Sequence, residues 1–201
     1  MARLHAVSAE GTQAGYERRP WDADGLAGSA PLWGLPERLP GLGPADRRLL
    51  VDTRLRIAKV LGAAPTDPAV YGMVHADLTY ENVLVTGDGI TMLDFDGSGE
   101  GWYLFDLATA FFWCTRHPEA EAALAALLRG YRRVRPLDPD PSHWHALLLA
   151  RALSYLGWAA DRPGDRASDF ITADVAPWVL EAAHRYTATG RTGWPAPGGG
   201  S

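Results

Sequence analysis

The sequence predicts an α+β fold, mainly helical, with one small β-hairpin near its centre. Three observations carry this. Apolar residues recur at helical spacing over 44–61 and again through most of the chain beyond Tyr103. Two β-type runs, 83–85 and 90–93, stand on either side of TGDG, a good hairpin turn. At 201 residues, 47% hydrophobic and 21% charged, the chain has the length and composition to fold around one core.

Taken in order, residues 1–8 (MARLHAVS) have the pattern of the end of a helix. Residues 10–43 are rich in Gly, Pro and Trp with few periodic apolar positions, which predicts an irregular connector. Pro44 suits the first turn of a helix running to about Leu61. Leu49, Leu50, Thr53, Ile57, Val60 and Leu61 share one face of it, and Gly62 ends it. A short apolar run at 71–74 leads into HADLTYEN, and the hairpin follows. The glycines of 97–101 are expected to form a turn into a strongly apolar helix over 103–115. Pro118 opens another helix to about Val134, and two more are expected near 142–160 and 167–189. The end of the chain, 191–201, closes on PAPGGGS and is expected to be a flexible tail.

Several classes are set aside by composition. No apolar run approaches the roughly 20 residues needed to span a bilayer, and the N-terminus lacks a signal-peptide pattern. A single cysteine, Cys114, excludes an internal disulfide, suits the cytoplasm and reads as a core residue. The net charge of -5 argues against a nucleic-acid partner. The charges are also unevenly placed. Eighteen of the 19 basic side chains are Arg, and Lys59 is the one lysine. Between Lys59 and Arg116 no Lys or Arg occurs, yet eight acids do: Asp67, Asp77, Glu81, Asp88, Asp94, Asp96, Glu100 and Asp106. Such a block ordinarily forms a solvated face. Where several acids converge in a cleft, a divalent cation is the natural neutraliser.

The phrase MLDFDGSG, 92–99, is ambiguous taken alone. A haloacid-dehalogenase-type phosphatase would use Asp94 as its nucleophile, a sugar-nucleotide glycosyltransferase would use Asp-x-Asp to hold a metal, and a kinase would use a metal-binding Asp. The upstream residues decide between them. His75, Asp77, Leu78 and Asn82 match the kinase catalytic-loop pattern H-x-D-L-x-x-x-N, and Asp94-Phe95-Asp96 falls where a kinase has D-F-G. A two-strand hairpin returns the chain to its starting end, so the loops before and after it lie side by side. Asp77, Asn82 and Asp94 can therefore surround one metal-phosphate site. Phosphoryl transfer needs positioning and charge neutralisation more than covalent help. Asp77 would orient a hydroxyl and take its proton, while Asn82 and Asp94 would hold Mg2+ and, through it, the nucleotide phosphates. The phosphatase reading lacks its later basic residue, since no lysine follows Lys59, and a glycosyltransferase leaves HADLTYEN unexplained.

The block GMVHADLTYENVLVTGDGITMLDFDGSGEGWYLFDLATAFFW resembles the large C-terminal lobe of the aminoglycoside phosphotransferase and choline kinase-like family. Ala76, where protein kinases have Arg, and Asp96, where they have Gly, suit this branch, as does Asp106-Leu107-Ala108. The opening Arg3 to Ala6 (RLHA) resembles a large-lobe helix just after the interlobe hinge. The resemblance spans 2–190 and is strongest over 72–115. It implies a protein-kinase-like fold with the catalytic and metal-binding core at 72–115 and a helical substrate-side subdomain at 118–190. By the same resemblance Asp77 is the catalytic base, and His75 supports it by orienting the loop through a backbone hydrogen bond. Asn82 and Asp94 bind the cofactor phosphates through Mg2+, Asp96 is a second metal or water ligand, and Asp106 is a buried brace. On residue chemistry alone, Asp96 is equally a polar turn residue and Asp106 equally an acid near a helix N-terminus.

Other features carry less. His143 and His145 are two apart on a helix and point away from each other. Phe111, Phe112, Trp113, Trp158 and Trp178 are expected in the core. Asp161, Asp165, Asp169 and Asp174 lie where relatives bind cationic substrates, but Arg162 and Arg166 alternate with them, as on a solvated helix start.

A kinase-fold enzyme also needs a β-rich small lobe with a phosphate-covering loop and a lysine. The 74 residues before His75 offer neither, and Lys59 falls in a helix. The expectation is a large lobe with the N-terminal β-rich lobe absent, exposing apolar surface to a separate small lobe or to self-association. Two functions follow. One is transfer of the γ-phosphoryl group of ATP (or GTP) to a hydroxyl of a small molecule, aminoglycoside-like or another amino alcohol or sugar. The other is a non-catalytic kinase-like lobe that binds a ligand or partner.

Overall fold

The computed structural model describes residues 1–11, 18–87 and 89–198. Asp88 of the acidic block and 12–17 of the connector lie outside the described residues. Helices dominate, and the central one is α6, Pro141–Ala160. Asp140 caps it by accepting from the backbone N–H groups of Ser142 and His143, and Pro141 occupies the first turn, where a missing N–H costs nothing. From Trp144 to Leu153 it is buried all round. A helix without a polar face must sit inside its own domain, and α6 is packed by α3 (Pro44–Gly62), α4 (Tyr103–Phe111) and α8 (Ala176–Thr189). The predicted stripe of α3 faces this core, with Leu49, Leu50, Thr53, Ile57 and Leu61 buried. Between α4 and α6 run a 3-10 turn, Phe112–Arg116, and α5, Ala120–Arg132.

The expected hairpin is present, with β2 (Val83–Thr86) antiparallel to β3 (Gly89–Met92) and Val85 opposite Ile90. A second pair was not expected. β1 (Tyr71–Val74) pairs antiparallel with β4 (Gly99–Trp102), Tyr71 opposite Trp102 and Val74 opposite Gly99. Of the glycines expected to form a turn, Gly97 ends a 3-10 turn (Phe95–Gly97), but Gly99 and Gly101 are strand residues, and the reason is a close approach. Trp21 forms a bridge with Gly101 and lies flat on this strand. A Cβ at Gly101 would fall 2.9 Å from the Trp21 Cβ, and one at Gly99 would fall 3.2 Å from the indole Cδ1. Glycine in a strand here marks a neighbour, not a bend.

Elsewhere the expectations need adjustment in detail. The opening helix is α1, Ala2–Ala9. The connector contains a short helix, α2 (Ala23–Ala27), capped by the Asp22 carboxylate on Gly25 N, and a 3-10 turn at Pro36–Arg38. The last expected helix is interrupted: α7 (Arg166–Phe170) continues through a π-helical turn, Ile171–Val175, into α8. Pro177 in the first turn of α8 withholds a backbone donor, and the wider π turn accommodates the gap. Much of the segment expected to be a flexible tail is packed on the core, including Trp194 and Ala196, and Pro197 is buried. Thr192 is buried against His145 (Oγ1 to Nδ1, 3.0 Å), and the Trp144 indole N–H donates to the Pro195 carbonyl at 2.8 Å. Residues 199–201 lie outside the described residues. Among the described residues no helix is long and apolar enough to cross a membrane.

Candidate active site

β1 delivers the chain into the loop that begins at His75, and the first two residues of that loop are anchored from below. Asp106, in the first turn of α4 and fully buried, accepts the backbone N–H of His75 at 2.9 Å on Oδ2 and that of Ala76 at 2.7 Å on Oδ1. This clamp holds Ala76 with φ at 65°, a left-handed conformation that L-residues with a Cβ rarely adopt. The His75 ring is buried beneath the loop, and its Nε2 is 2.7 Å from the Leu93 carbonyl, tying the start of one loop to the entry of the other.

Asp106 is itself held from α1. His5, fully buried, places Nε2 2.9 Å from Asp106 Oδ2 and Nδ1 2.9 Å from the Tyr131 hydroxyl. Burial raises the pKa of Tyr131 above its ordinary value, so the phenol keeps its proton. The consistent arrangement is Tyr131 O–H donating to Nδ1 and Nε2–H donating to the carboxylate. His5 also stacks on Tyr103 with centroids 4.5 Å apart.

Beyond the clamp, Asp77 turns into a cleft of about 550 Å3. Asn82 Nδ2 donates to the Asp77 carbonyl at 2.8 Å and lies 3.3 Å from Asp77 Oδ2, leaving the Asn82 carbonyl oxygen as a ligand donor. Asp94 stands at the far end of the hairpin in a left-handed conformation, φ 58°, and its exposed side chain has one weak contact, Asp96 N to Oδ1 at 3.4 Å. Asp77, Asn82 and Asp94 all line the cleft. An amide carbonyl and a carboxylate are hard oxygen donors suited to Mg2+, which keeps water and phosphate ligands beside a few protein oxygens. Among the described residues no group of three or more His, Cys, Asp or Glu could hold a metal by itself. A metal held by Asn82 and Asp94 would need further ligands beyond those two side chains.

The remaining wall comes from α6, α7 and the connector. Arg151 enters from α6 almost wholly buried; its Nη2 donates to Asp77 Oδ1 and to the Tyr155 hydroxyl, each at 2.7 Å, with the guanidinium 4.3 Å from the Tyr155 ring centroid. Ser154, Tyr155 and Trp158 continue the same face of α6, and Ala167 and Phe170 of α7 stand beside them. Trp33 reaches the cleft from the connector because Gly157 lets its loop rest on α6: a Cβ at Gly157 would fall 2.4 Å from Trp33 O and 2.5 Å from Gly34 O.

Of the residues singled out from sequence, the structure brings Asp77, Asn82 and Asp94 together. His75 and Asp106 support them from beneath. Asp96 is exposed, does not line the cleft, and lends its backbone carbonyl to Arg18. Of the aromatics expected in the core, Phe111 and Phe112 are buried, and Trp113, Trp158 and Trp178 are half-buried against it, with Trp113 and Trp158 also lining the cleft. Asp161, Asp165, Asp169 and Asp174 are all exposed and none lines it. Sequence reasoning missed His5, Arg151 and Trp33. A faint signal existed for Arg151, a lone cation inside an otherwise apolar helical run.

The model of the phosphotransferase enzyme family matches residues 1–137. Homoserine kinase of Parvibaculum lavamentivorans is 32% identical over 165 residues, covering 75% of this chain and 46% of that protein. Homoserine kinase of Paraburkholderia phymatum is 31% identical over 148 residues, covering 66% and 45%. The chain thus spans less than half the length of these curated relatives. Among solved structures, a microcompartment-associated aminopropanol kinase superposes with a TM-score of 0.82 at 30% identity, over 94% of this chain and 60% of that one. An amicoumacin kinase in complex with AMP-PNP, Ca2+ and Ami gives 0.65 at 19% identity, over 89% and 55%, a likeness of fold alone.

Proposed function

The chain belongs to the phosphotransferase enzyme family, and on that premise we propose that it transfers the γ-phosphoryl group of ATP to a hydroxyl of a small amino alcohol or hydroxy amino acid. The observation that carries the reading is the meeting of Asp77, Asn82 and Asp94 in one cleft, from two loops joined by a hairpin. Asp77 is the base. Its Oδ1 is held by Arg151, and Oδ2, in only a long contact with Asn82 Nδ2 at 3.3 Å, would take the proton. As the acceptor oxygen bonds to the γ-phosphorus, its proton passes to Asp77, and the bond from phosphorus to the bridging oxygen breaks to release ADP. Asn82 and Asp94 would hold Mg2+, which would offset the charge of the phosphates. His75, Asp106 and His5 hold the loop so that Asp77 does not wander from that geometry. The names of the similar proteins, homoserine and aminopropanol kinases, support a small acceptor bearing both hydroxyl and amine. Family membership supports reading Asp94 as a metal ligand in preference to a phosphatase nucleophile.

The deciding experiment is Mg2+-dependent ATP turnover with hydroxylated amines as acceptors. Asp77→Ala should lower kcat by about a thousandfold, with the fold intact by circular dichroism. Absence of turnover with every acceptor, together with no thermal shift on adding nucleotide, would sink the reading for this chain. A second reading, a non-catalytic lobe that binds a ligand or partner, is favoured by one observation. The hairpin side chains Leu84, Val85 and Ile90, with Leu93 and Phe95 beyond them, are exposed on one end of the molecule, where a separate small lobe or a second copy would sit.

A further inference from the structure

The cleft is chemically divided. Its three acids, Asp77, Glu81 and Asp94, all lie on the two loops that bracket the hairpin. The opposite wall, from α6, α7 and the connector, contributes no acid and one cation, Arg151. A polycationic acceptor needs carboxylates where its amines sit, and the acids of 161–174 that might have served are exposed outside the cleft.

Arg151 is 3% exposed and carries donor capacity that the protein does not use. Its bonds to Asp77 and Tyr155 both leave from Nη2, while its Nε–H is buried without an acceptor among the described residues. Trp33, on the same wall, likewise has a buried indole N–H without an acceptor among the described residues. Buried donors left without partners are costly, and an arginine cannot shed its charge to escape the cost. A wall that combines a buried guanidinium with a buried indole N–H lacking an acceptor among the described residues asks for an oxyanion ligand.

We infer that Arg151 receives a carboxylate of the acceptor, and that the acceptor class is therefore a small hydroxylated amino acid in preference to a simple amino alcohol or an aminoglycoside. This rests on the proposed phosphotransferase reading for the identity of the acceptor cleft. With the carboxylate on the guanidinium that also orients Asp77, one side chain sets both the base and the distance from the base to the reacting hydroxyl.

The test uses the full chain and three probes: L-homoserine, 3-amino-1-propanol (the same molecule without its carboxylate) and kanamycin. Calorimetric titration should show homoserine binding at least about tenfold more tightly than 3-amino-1-propanol, with kanamycin weaker than homoserine. Arg151→Gln should bring homoserine down to the level of the amino alcohol, so that the ratio of the two affinities falls to about one. Arg151→Lys should retain part of the preference, because charge remains and the fork is lost. Should either variant fail to fold, the ladder of three probes on the unaltered chain decides by itself. Equal or tighter binding of 3-amino-1-propanol, a preference unchanged in folded Arg151→Gln, or no binding of homoserine would overturn the inference. Phosphoryl transfer measured in parallel separates it from the functional reading. A homoserine preference without transfer defeats the enzyme and leaves the subsite, whereas transfer to both alcohols with equal kcat/KM defeats the subsite and leaves the enzyme.

Discussion

Asp106 has no alternative set of partners. Its two oxygens receive two backbone N–H groups and the His5 ring in a site from which water is excluded. Asp106→Asn keeps the shape but turns an NH2 group toward donors, and it should cost about 3 kcal/mol of stability in urea denaturation. Because the same carboxylate holds Ala76 in its left-handed conformation, any activity should be lost at temperatures where the variant remains folded. His5 was invisible to sequence reasoning for a geometric reason: it lies 101 positions from Asp106, and a histidine in a short N-terminal helix has no local signature. Arg151, 74 positions from Asp77, shares that difficulty. Asp77, Asn82 and Asp94 were legible because one loop, one hairpin and one turn fix their mutual distance through a chain segment of constant length.

Among the elements, α6 connects most of what the protein needs to hold still. At Gly157 it accepts the Trp33 loop at a separation no Cβ permits, so Gly157→Ala should destabilise the fold by about 2–3 kcal/mol, measured by chemical denaturation. The same change pushes Trp33 away from the cleft, so acceptor affinity should fall with it. At its N-terminal end α6 holds the C-terminal segment through His145 and Thr192. Burial, and then the nearby Arg191, depress the His145 pKa below its ordinary 6.5. A folded value below the unfolded one means that the unfolded chain takes up a proton that the folded chain resists. The stability contribution is therefore complete above pH 6.5 and declines as pH falls below it. Thermal melts of His145→Gln and the unaltered chain should differ most near neutrality and converge toward about pH 5. Helix positions were legible from apolar spacing and Pro placement. The pairing of β1 with β4 was not, because its glycines answer to Trp21, a residue far away in sequence.

On the scale of the whole molecule, the polar cleft and the exposed hairpin lie at adjoining ends of the β2–β3 ribbon. Val85 and Ile90 face each other across that ribbon and are about 70% exposed, at 71% and 72%. Replacing them with Lys and Glu should leave stability within about 1 kcal/mol, since little packing is lost and an opposite-charge pair is gained. If this face mediates self-association, sedimentation velocity should show the double variant staying monomeric at concentrations where the unaltered chain does not. The fold class was legible because a chain this apolar, with one evident hairpin and long amphipathic runs, has few ways to bury its surface. The composition of the acceptor wall was not, since it is assembled from three separated segments.

The two halves of the cleft are inherited from different kinds of chain. Asp77, Asn82 and Asp94 stand on loops whose spacing cannot change without breaking the hairpin between them. Tyr155 and Trp158 lie about one turn apart on a single rod, α6. Substitutions there reshape the cleft wall while Asp77, Asn82 and Asp94 keep their places, whereas Arg151, one turn before Tyr155, belongs with the loops through its bond to Asp77. A fold arranged in this way is open to diversification by drift, and a library confined to those two positions is the compact place to redesign it.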